Sequence, residues 1–340
     1  MRIRKWGVFA VLALVNHAAS AAIFCVNSPA ALQAALNIAA SNGEQDTIRV
    51  VSGTYALSAP LTLNTSEHWS VGVYGRWDPA CTAQNGAASV LDGQGQFQVL
   101  ALTSSTNTAF SISQLFISGG YQSAAASTSA AGVAIYTFGD VRVDNNFFFN
   151  NRQDNNYTGG LAVYVGVGGN LYVHNNVFLG NQGSGLGAAD LFVDGTNAYA
   201  NGNTVIANTR NGMGLVGGLF LRGKAAFVLS NNLLWNNSGG DLYNGFDGGL
   251  VLLHNDIGVA LGYPSGAGST GNFSRDPLFA PGFLSVRPSS RSPLINAGTA
   301  AAPGNIGNTD VTGAQRLQLP QVDIGAYESD VIFYGSFELP

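Results

Sequence analysis

From residue 141 onward the chain alternates apolar and polar positions in short runs, and the runs recur as one phrase. A strand-like stretch is followed by an Asn pair, three mostly apolar residues and a further Asn. The copies are 141–151 (VRVDNNFFFNN), 171–181 (LYVHNNVFLGN), 199–208 (YANGNTVIAN), 227–237 (FVLSNNLLWNN) and a shortened 251–257 (VLLHNDI). Aligned on Asn146, Asn176, Asn203 and Asn232, they are 30, 27 and 29 residues apart. A period of this size predicts stacked units that share one continuous core. Period-two alternation makes the units strands, and the Gly, Asn and Asp between them supply the turns.

Short strands without helices between them exclude a doubly wound α/β sheet, and a sandwich or propeller does not require Asn pairs at this spacing. The pattern predicts an all-β, right-handed parallel β-helix (a solenoid) in which equivalent residues of successive coils stack about 4.8 Å apart. An inward Asn at a bend can then hydrogen-bond the same amide in the next coil, which satisfies buried polar groups at every interior rung. Of the 32 Asn residues, 21 lie between 144 and 256, where such a ladder needs them. Asn146, Asn176, Asn203 and Asn232 are therefore read as structural. The same register turns Val143, Val173, Leu229 and Leu253 inward, with Phe148, Phe178, Val205 and Leu234 in the next strand. It puts Asp144, His174, Asn201, Ser230 and His254 in an outward polar column. Phe149, Leu179, Ile206 and Trp235 are ambiguous by one residue. Facing out, they would form an apolar strip able to stack on sugar rings.

One helix is predicted. Ser28 is a good cap, Pro29 suits the first turn, Leu32, Leu36 and Ala39 share a face, and Gly43 ends it. Placed before the first strand, it would cover the open edge of the first coil. After Asp256 the Asn rhythm stops, and a Pro-rich, loop-rich C-terminal cap is expected to fold across the last coil.

Composition narrows the setting. Charged residues are 10% of the 340, hydrophobic residues 46%, and net charge is −5. That is too apolar for disorder and offers nucleic acid no basic surface. Residues 1–21 read as a signal peptide: Arg2, Arg4 and Lys5, an apolar stretch from Trp6 to Val15, and Ala19-Ser20-Ala21 at the cleavage site. No later run reaches the roughly 20 apolar residues of a membrane span. In an oxidising compartment the only two cysteines, Cys25 and Cys81, would form one disulfide. The mature chain is read as a monomer.

Two further stretches, 31–55 (ALQAALNIAASNGEQDTIRVVSGTY) and 74–93 (YGRWDPACTAQNGAASVLDG), resemble bacterial secreted proteins with right-handed parallel β-helix repeats. Residues 276–328 are similar to the end module of the choice-of-anchor Q type. The pieces are Asp276-Pro277-Leu278-Phe279, 292–298 (SPLINAG), Asp310 with Gly313 and Arg316, and 323–328 (DIGAYE); Asn296 stands where that pattern usually has Asp. The closing 331–338 (VIFYGSFE) resembles short tails of exported Gram-negative proteins. The resemblance implies a β-helix of the pectate-lyase-like superfamily at or beyond the cell surface, and implies no activity. It divides the chain into signal peptide 1–21, capped β-helix 22–272, C-terminal module 273–328 and sorting-like tail 329–340. Within the module, Asp310, Arg316, Asp323 and Glu328 are expected to pin loops by charge-assisted hydrogen bonds.

Chemistry has few places to reside. A polysaccharide lyase needs an Arg or Lys base beside a Ca²⁺ held by carboxylates, and a hydrolase needs a carboxylate pair. The candidates are Asp190, Arg222, Lys224 and Asp241, with Arg210, Asp194 and Asp247 nearby in sequence. Asp190-Leu191-Phe192 and Asp241-Leu242-Tyr243 share a context that suggests equivalent places. Asp144 and His174 would be neighbours, with Ser230 too far along the column to complete a triad. The sequence therefore favours a non-catalytic surface scaffold that binds polysaccharide or another cell-surface component. The alternative is a polysaccharide lyase or glycoside hydrolase with a divergent site; only the lyase would require Ca²⁺, and no other cofactor is indicated.

Overall fold

Each turn of the chain lays down three strands, and each strand pairs in parallel with its equivalent one coil away. This computed structural model describes residues 21–84, 87–123, 129–154, 157–211, 214–246, 249–282, 285–318 and 320–329. The signal segment before residue 21, Asp247 and the tail from residue 330 lie outside the described residues.

The result is a right-handed parallel β-helix. Sheet I has nine strands, running from Ala21–Val26 through Val141–Asp144, Leu171–His174, Asn197–Asn201 and Ala226–Ser230 to Leu250–Leu253. Sheet II has eight, among them Phe147–Phe149, Val177–Leu179, Thr204–Ile206 and Leu233–Trp235. Sheet III also has eight, among them Val133–Thr137, Leu161–Val165, Ala189–Val193 and Leu219–Gly223. Four two-residue strands, such as Arg152–Gln153 and Gln182–Gly183, form a short sheet between II and III. One apolar core runs from Val26 to Ile257 inside the coils.

Both bends that bound sheet II use the same device: a left-handed residue, then an inward amide. At the first bend Asn145, Asn175, Gly202, Asn231 and His254 have positive φ, and Asn146, Asn176, Asn203, Asn232 and Asn255 follow. Each of these amides donates from Nδ2 to the Oδ1 of the next rung, at 2.9–3.1 Å, ending on Asn272. The second Nδ2 proton goes to a backbone carbonyl of the previous coil, as from Asn203 to Val173 at 2.8 Å. At the second bend Asn150, Gly180, Ala207 and Asn236 have positive φ, and Asn151, Asn181, Asn208 and Asn237 form a parallel ladder. The last Asn of each phrase thus has a role that the sequence reading did not assign.

The register corrects two column positions. Leu229 pairs with Leu252, so Leu252 is the inward residue and Leu253 pairs with Ser230 on the outside. His254 belongs to the left-handed bend rather than to the column of Asp144, His174, Asn201 and Ser230.

The helix spans Pro29–Ala39, with Ser28 Oγ accepting from the Ala31 N–H at 3.2 Å. Leu32, Ala35, Leu36 and Ala39 join the core. A strand, Ala21–Val26, precedes the helix and pairs with Gln45–Val51, so the helix follows the first strand. Cys25 on that strand is bonded to Cys81, with Cα atoms 5.9 Å apart.

The C-terminal segment does not simply close the last coil. It runs back along the flank as a strap held by the side chains at the first bend. Asn231 donates to Thr299 O, Asn201 to Asn305 O, Asn175 to Ile306 O and Asn145 to Asp310 O. His254 Nδ1 lies 3.0 Å from Ala297 O, and Arg76 donates to Val311 O at 3.1 Å. Phe149, Leu179, Ile206 and Trp235 do face outward, but Val286, Leu294, Val311, Ile324 and Ala326 of the strap pack over their sheet. The strip expected to stack on sugars is covered.

Inside the strap, Arg316 is fully buried and reaches Glu328 at 3.2 Å and Asp323 O at 2.8 Å. Asp310 Oδ1 accepts from Thr312 and Ala314 N–H, and Asp323 from Asn296 and Ser329 N–H. Burial, with Asp323 and Asp310 nearby, pushes the Glu328 carboxyl up to about 7 despite Arg316.

Candidate functional site

Asp190 and Arg222 meet on the outer face of sheet III. Register pairs Phe192 with Arg222 and Asp190 with Phe220, so the guanidinium reaches diagonally across one coil. It does so in the bidentate geometry for which its planar fork is suited: Nε to Oδ1 at 2.8 Å and Nη2 to Oδ2 at 2.6 Å. Burial pushes the Asp190 carboxyl up against the pull of Arg222, while the pairing pushes the guanidinium up.

Aromatic rings frame this pair. Outward positions of successive coils carry Tyr136, Tyr164 and Phe192, stacked at 4.5 and 4.9 Å, and the Arg222 guanidinium lies 4.8 Å over Phe192 as the next rung. Phe220 stands beside it and contacts Tyr243 at 5.4 Å. The strands VAIYT, LAVYV, ADLFV and LFLRG carry this column at their fourth position. Sequence reasoning passed over it because no Asn marks it.

A groove of about 350 Å³ opens next to the pair, walled by Tyr157, Leu186, Leu215 and Phe220. Tyr157 and Leu215 are exposed. Here the loops after the short sheet lean over sheet III, leaving an apolar wall on one side and an ion pair on the floor.

The other candidates go elsewhere. Asp241 does not occupy the place of Asp190, because Leu242 pairs with Leu219 whereas Leu191 pairs with Leu221. It ends the second amide ladder instead. Its Oδ1 accepts from both Asn237 N and Nδ2 at 2.8 Å, and its Oδ2 accepts from Val259 N at 2.8 Å. All three partners are donors, which suits an acceptor-only carboxylate. Lys224 lies past the end of the Arg222 strand and is exposed, outside the groove. Arg210 turns to Gly214 O, within its own loop. With Asp190 committed to Arg222 and Asp241 to Asn237 and Val259, these residues do not fit a Ca²⁺ site. Among the described residues no three His, Cys, Asp or Glu side chains converge as a metal would require.

On sheet I, Asp144 and His174 are neighbours, with Oδ1 and Nδ1 3.5 Å apart. His174, Asn201 and Ser230 of this column are buried rather than exposed, and Asp144 is half-buried. Burial pushes Asp144 up to about 7 and His174 down to about 4, with Arg142 opposing the first shift and adding to the second. Ser230 lies two strands from His174 and makes no triad with it.

Residues 98–257 match a family model described as the right handed beta helix region. No curated protein and no solved structure matches the chain. Among the described residues no helix is long and apolar enough to cross a membrane.

Proposed function

We propose that the protein is an exported or surface-displayed β-helix that binds a hydroxyl-rich glycan in the groove at Asp190 and Arg222 without turning it over. The observation that carries this reading is the bidentate ion pair set between aromatic walls at the floor of an open groove. A sugar presents apolar C–H faces and adjacent hydroxyls. Rings such as Phe220 and Tyr157 suit the faces. The pair suits the hydroxyls, since the carboxylate accepts and the guanidinium donates within one short span. Its charges cancel, which favours a neutral glycan over a polyanion. The groove volume lies within the usual range for small-ligand sites. The Cys25–Cys81 bond and the signal-like N-terminus support export.

Catalysis is disfavoured because Asp190 and Arg222 are engaged with each other through both carboxylate oxygens. The test is a binding panel of neutral and acidic polysaccharides, read by isothermal titration and by assay for new reducing or unsaturated ends with and without Ca²⁺. Binding of a neutral glycan that weakens about tenfold in Phe220→Ala and in Tyr157→Ala supports the proposal, each corresponding to about 1.4 kcal/mol. Turnover that disappears in Arg222→Ala would establish the lyase or hydrolase reading instead. Failure to bind any member sinks the glycan assignment.

A further inference from the structure

A second polar recess lies on the opposite flank, where the upper end of the strap crosses sheet I. Its volume is about 260 Å³. A water occupies about 30 Å³ of liquid, so the recess has room for a small organic molecule. Ser113 and Gln114 line it from the preceding coil, Arg142, Asp144 and His174 from sheet I, and Asn308 from the strap. No apolar side chain lines it.

Several of its polar atoms make no hydrogen bond, although Asp144 Oδ1 lies 3.5 Å from His174 Nδ1. Asp144 Oδ1, His174 Nε2 and Gln114 Oε1 are buried without a hydrogen bond. Such atoms are costly to leave unsatisfied, and native structures that retain them require a reason. Arg142 is exposed, and its guanidinium lies 4.0 Å over the Tyr172 ring. Among the described residues no carboxylate makes an ion pair with it. The ring therefore orients a cation whose donors remain free.

We propose that this recess binds a small polyhydroxy carboxylate, with Arg142 pairing the carboxylate and Asp144, Ser113, Gln114 and Asn308 taking the hydroxyl-bearing part. The charges favour an anion. Arg142 is positive, and the depressed His174 is neutral near pH 7. Burial holds Asp144 up to about 7, so below that pH it carries a proton that it can donate to a bound oxygen. The other residues lining the recess are uncharged: Ser113, Gln114 and Asn145 from the coils, and Asn305, Gly307, Asn308 and Thr309 from the strap. The strap carboxylate Asp310 accepts from Thr312, Ala314 and Glu328 N–H.

The sign of the pH dependence follows. An ionised Asp144 would repel the ligand carboxylate held at Arg142, two residues away on the same strand, so affinity is full below about pH 6. Above about pH 7 it falls roughly tenfold per pH unit. The test is titration calorimetry of the full chain with gluconate, using sorbitol as the neutral counterpart and acetate as the bare carboxylate. Gluconate binding at pH 6 that falls at least tenfold by pH 8.5 is expected. Arg142→Gln should weaken it at least tenfold, whereas Asp144→Asn should bind with the pH dependence removed. Unchanged melting temperatures show that the variants remain folded. Equal binding of gluconate and sorbitol, equal binding of acetate, or affinity indifferent to Arg142→Gln would each overturn the proposal. Arg222→Ala serves as the arm that separates the two sites. It should leave gluconate binding unchanged, and a loss there instead would move the ligand to the sheet III groove.

Discussion

Removing one interior amide from the first ladder should cost far more than removing the last. The Asn203 side chain donates to Val173 O at 2.8 Å and Asn232 Oδ1 at 2.9 Å, and its Oδ1 accepts from Asn176 N and Nδ2 at 3.0 Å. In Asn203→Ala, Asn232 Oδ1 still has the Asn203 backbone N–H at 3.0 Å. Two buried donors lose their acceptor, Asn176 N–H and one Asn176 Nδ2 proton, while Val173 O keeps its place in the sheet. At about 1–3 kcal/mol for each orphaned group, the loss is at least about 2 kcal/mol. Asn272 is the exposed end rung, and water can replace its side chain. Asn272→Ala should therefore cost less than about 1 kcal/mol. Asn203→Asp keeps both acceptances but sets an anionic oxygen against Val173 O and Asn232 Oδ1. It should be worse than Ala at neutral pH, and should recover on acidification as the raised carboxyl takes up a proton that it can donate. Urea unfolding at constant slope reads all three. If the interior and terminal Ala variants fall within about 0.5 kcal/mol of each other, or if Asp is milder than Ala at pH 7, the ladder is not what holds this bend.

Asp241→Asn turns an amide N–H₂ toward either Val259 N–H or Asn237, donor against donor, and should lower stability by about 1–3 kcal/mol in the same assay. Reducing or replacing the Cys25–Cys81 bond, which closes a separation of 56 residues, should cost about 4 kcal/mol by the loop-entropy relation; a loss below about 1 kcal/mol would show that the first coil is already fixed by its helix. Glu328 is raised to about 7 in the folded chain, so its contribution is present below the unfolded value of 4.5 and is lost as pH rises through 7. Melting temperature should consequently fall between pH 5 and pH 8, with a shallower slope in Glu328→Gln. His174 acts in the opposite sense, its contribution being lost as pH falls from 6.5 through about 4, so stability should peak in mildly acid solution.

How much of this was legible in the sequence depends on whether a residue's partner repeats. An amide ladder needs the same side chain once per coil, so Asn146, Asn176, Asn203 and Asn232 carry their own partners in the periodicity. The strap contacts of Asn145, Asn175 and Asn231 have no such trace. A left-handed bend already accounts for Asn at those positions, and the carbonyls they bind lie from 68 to 165 residues away in a segment without rhythm. The aromatic column of sheet III did repeat, at Tyr136, Tyr164 and Phe192, but an aromatic residue in a strand reads as core until register shows that it faces out.

The misplacement of Asp241 has a physical lesson for acidic residues in this fold. A ladder of amides passes donations one way, and its final acceptor needs no proton of its own. Asp241 stands at that end of the second ladder. Asp140 stands at the end of a shorter one, where Asn197 donates to Asn170 and Asn170 donates to Asp140. An isolated Asp one step beyond an Asn series is thus accounted for by hydrogen-bond direction, before any chemistry is invoked. Asp190 has no Asn series behind it and takes both of its partners' protons from a single guanidinium across a groove. Asp144 Oδ1 makes no hydrogen bond, with His174 Nδ1 3.5 Å away. No ladder accounts for Asp190 or Asp144, and the two ligand-binding proposals rest on them.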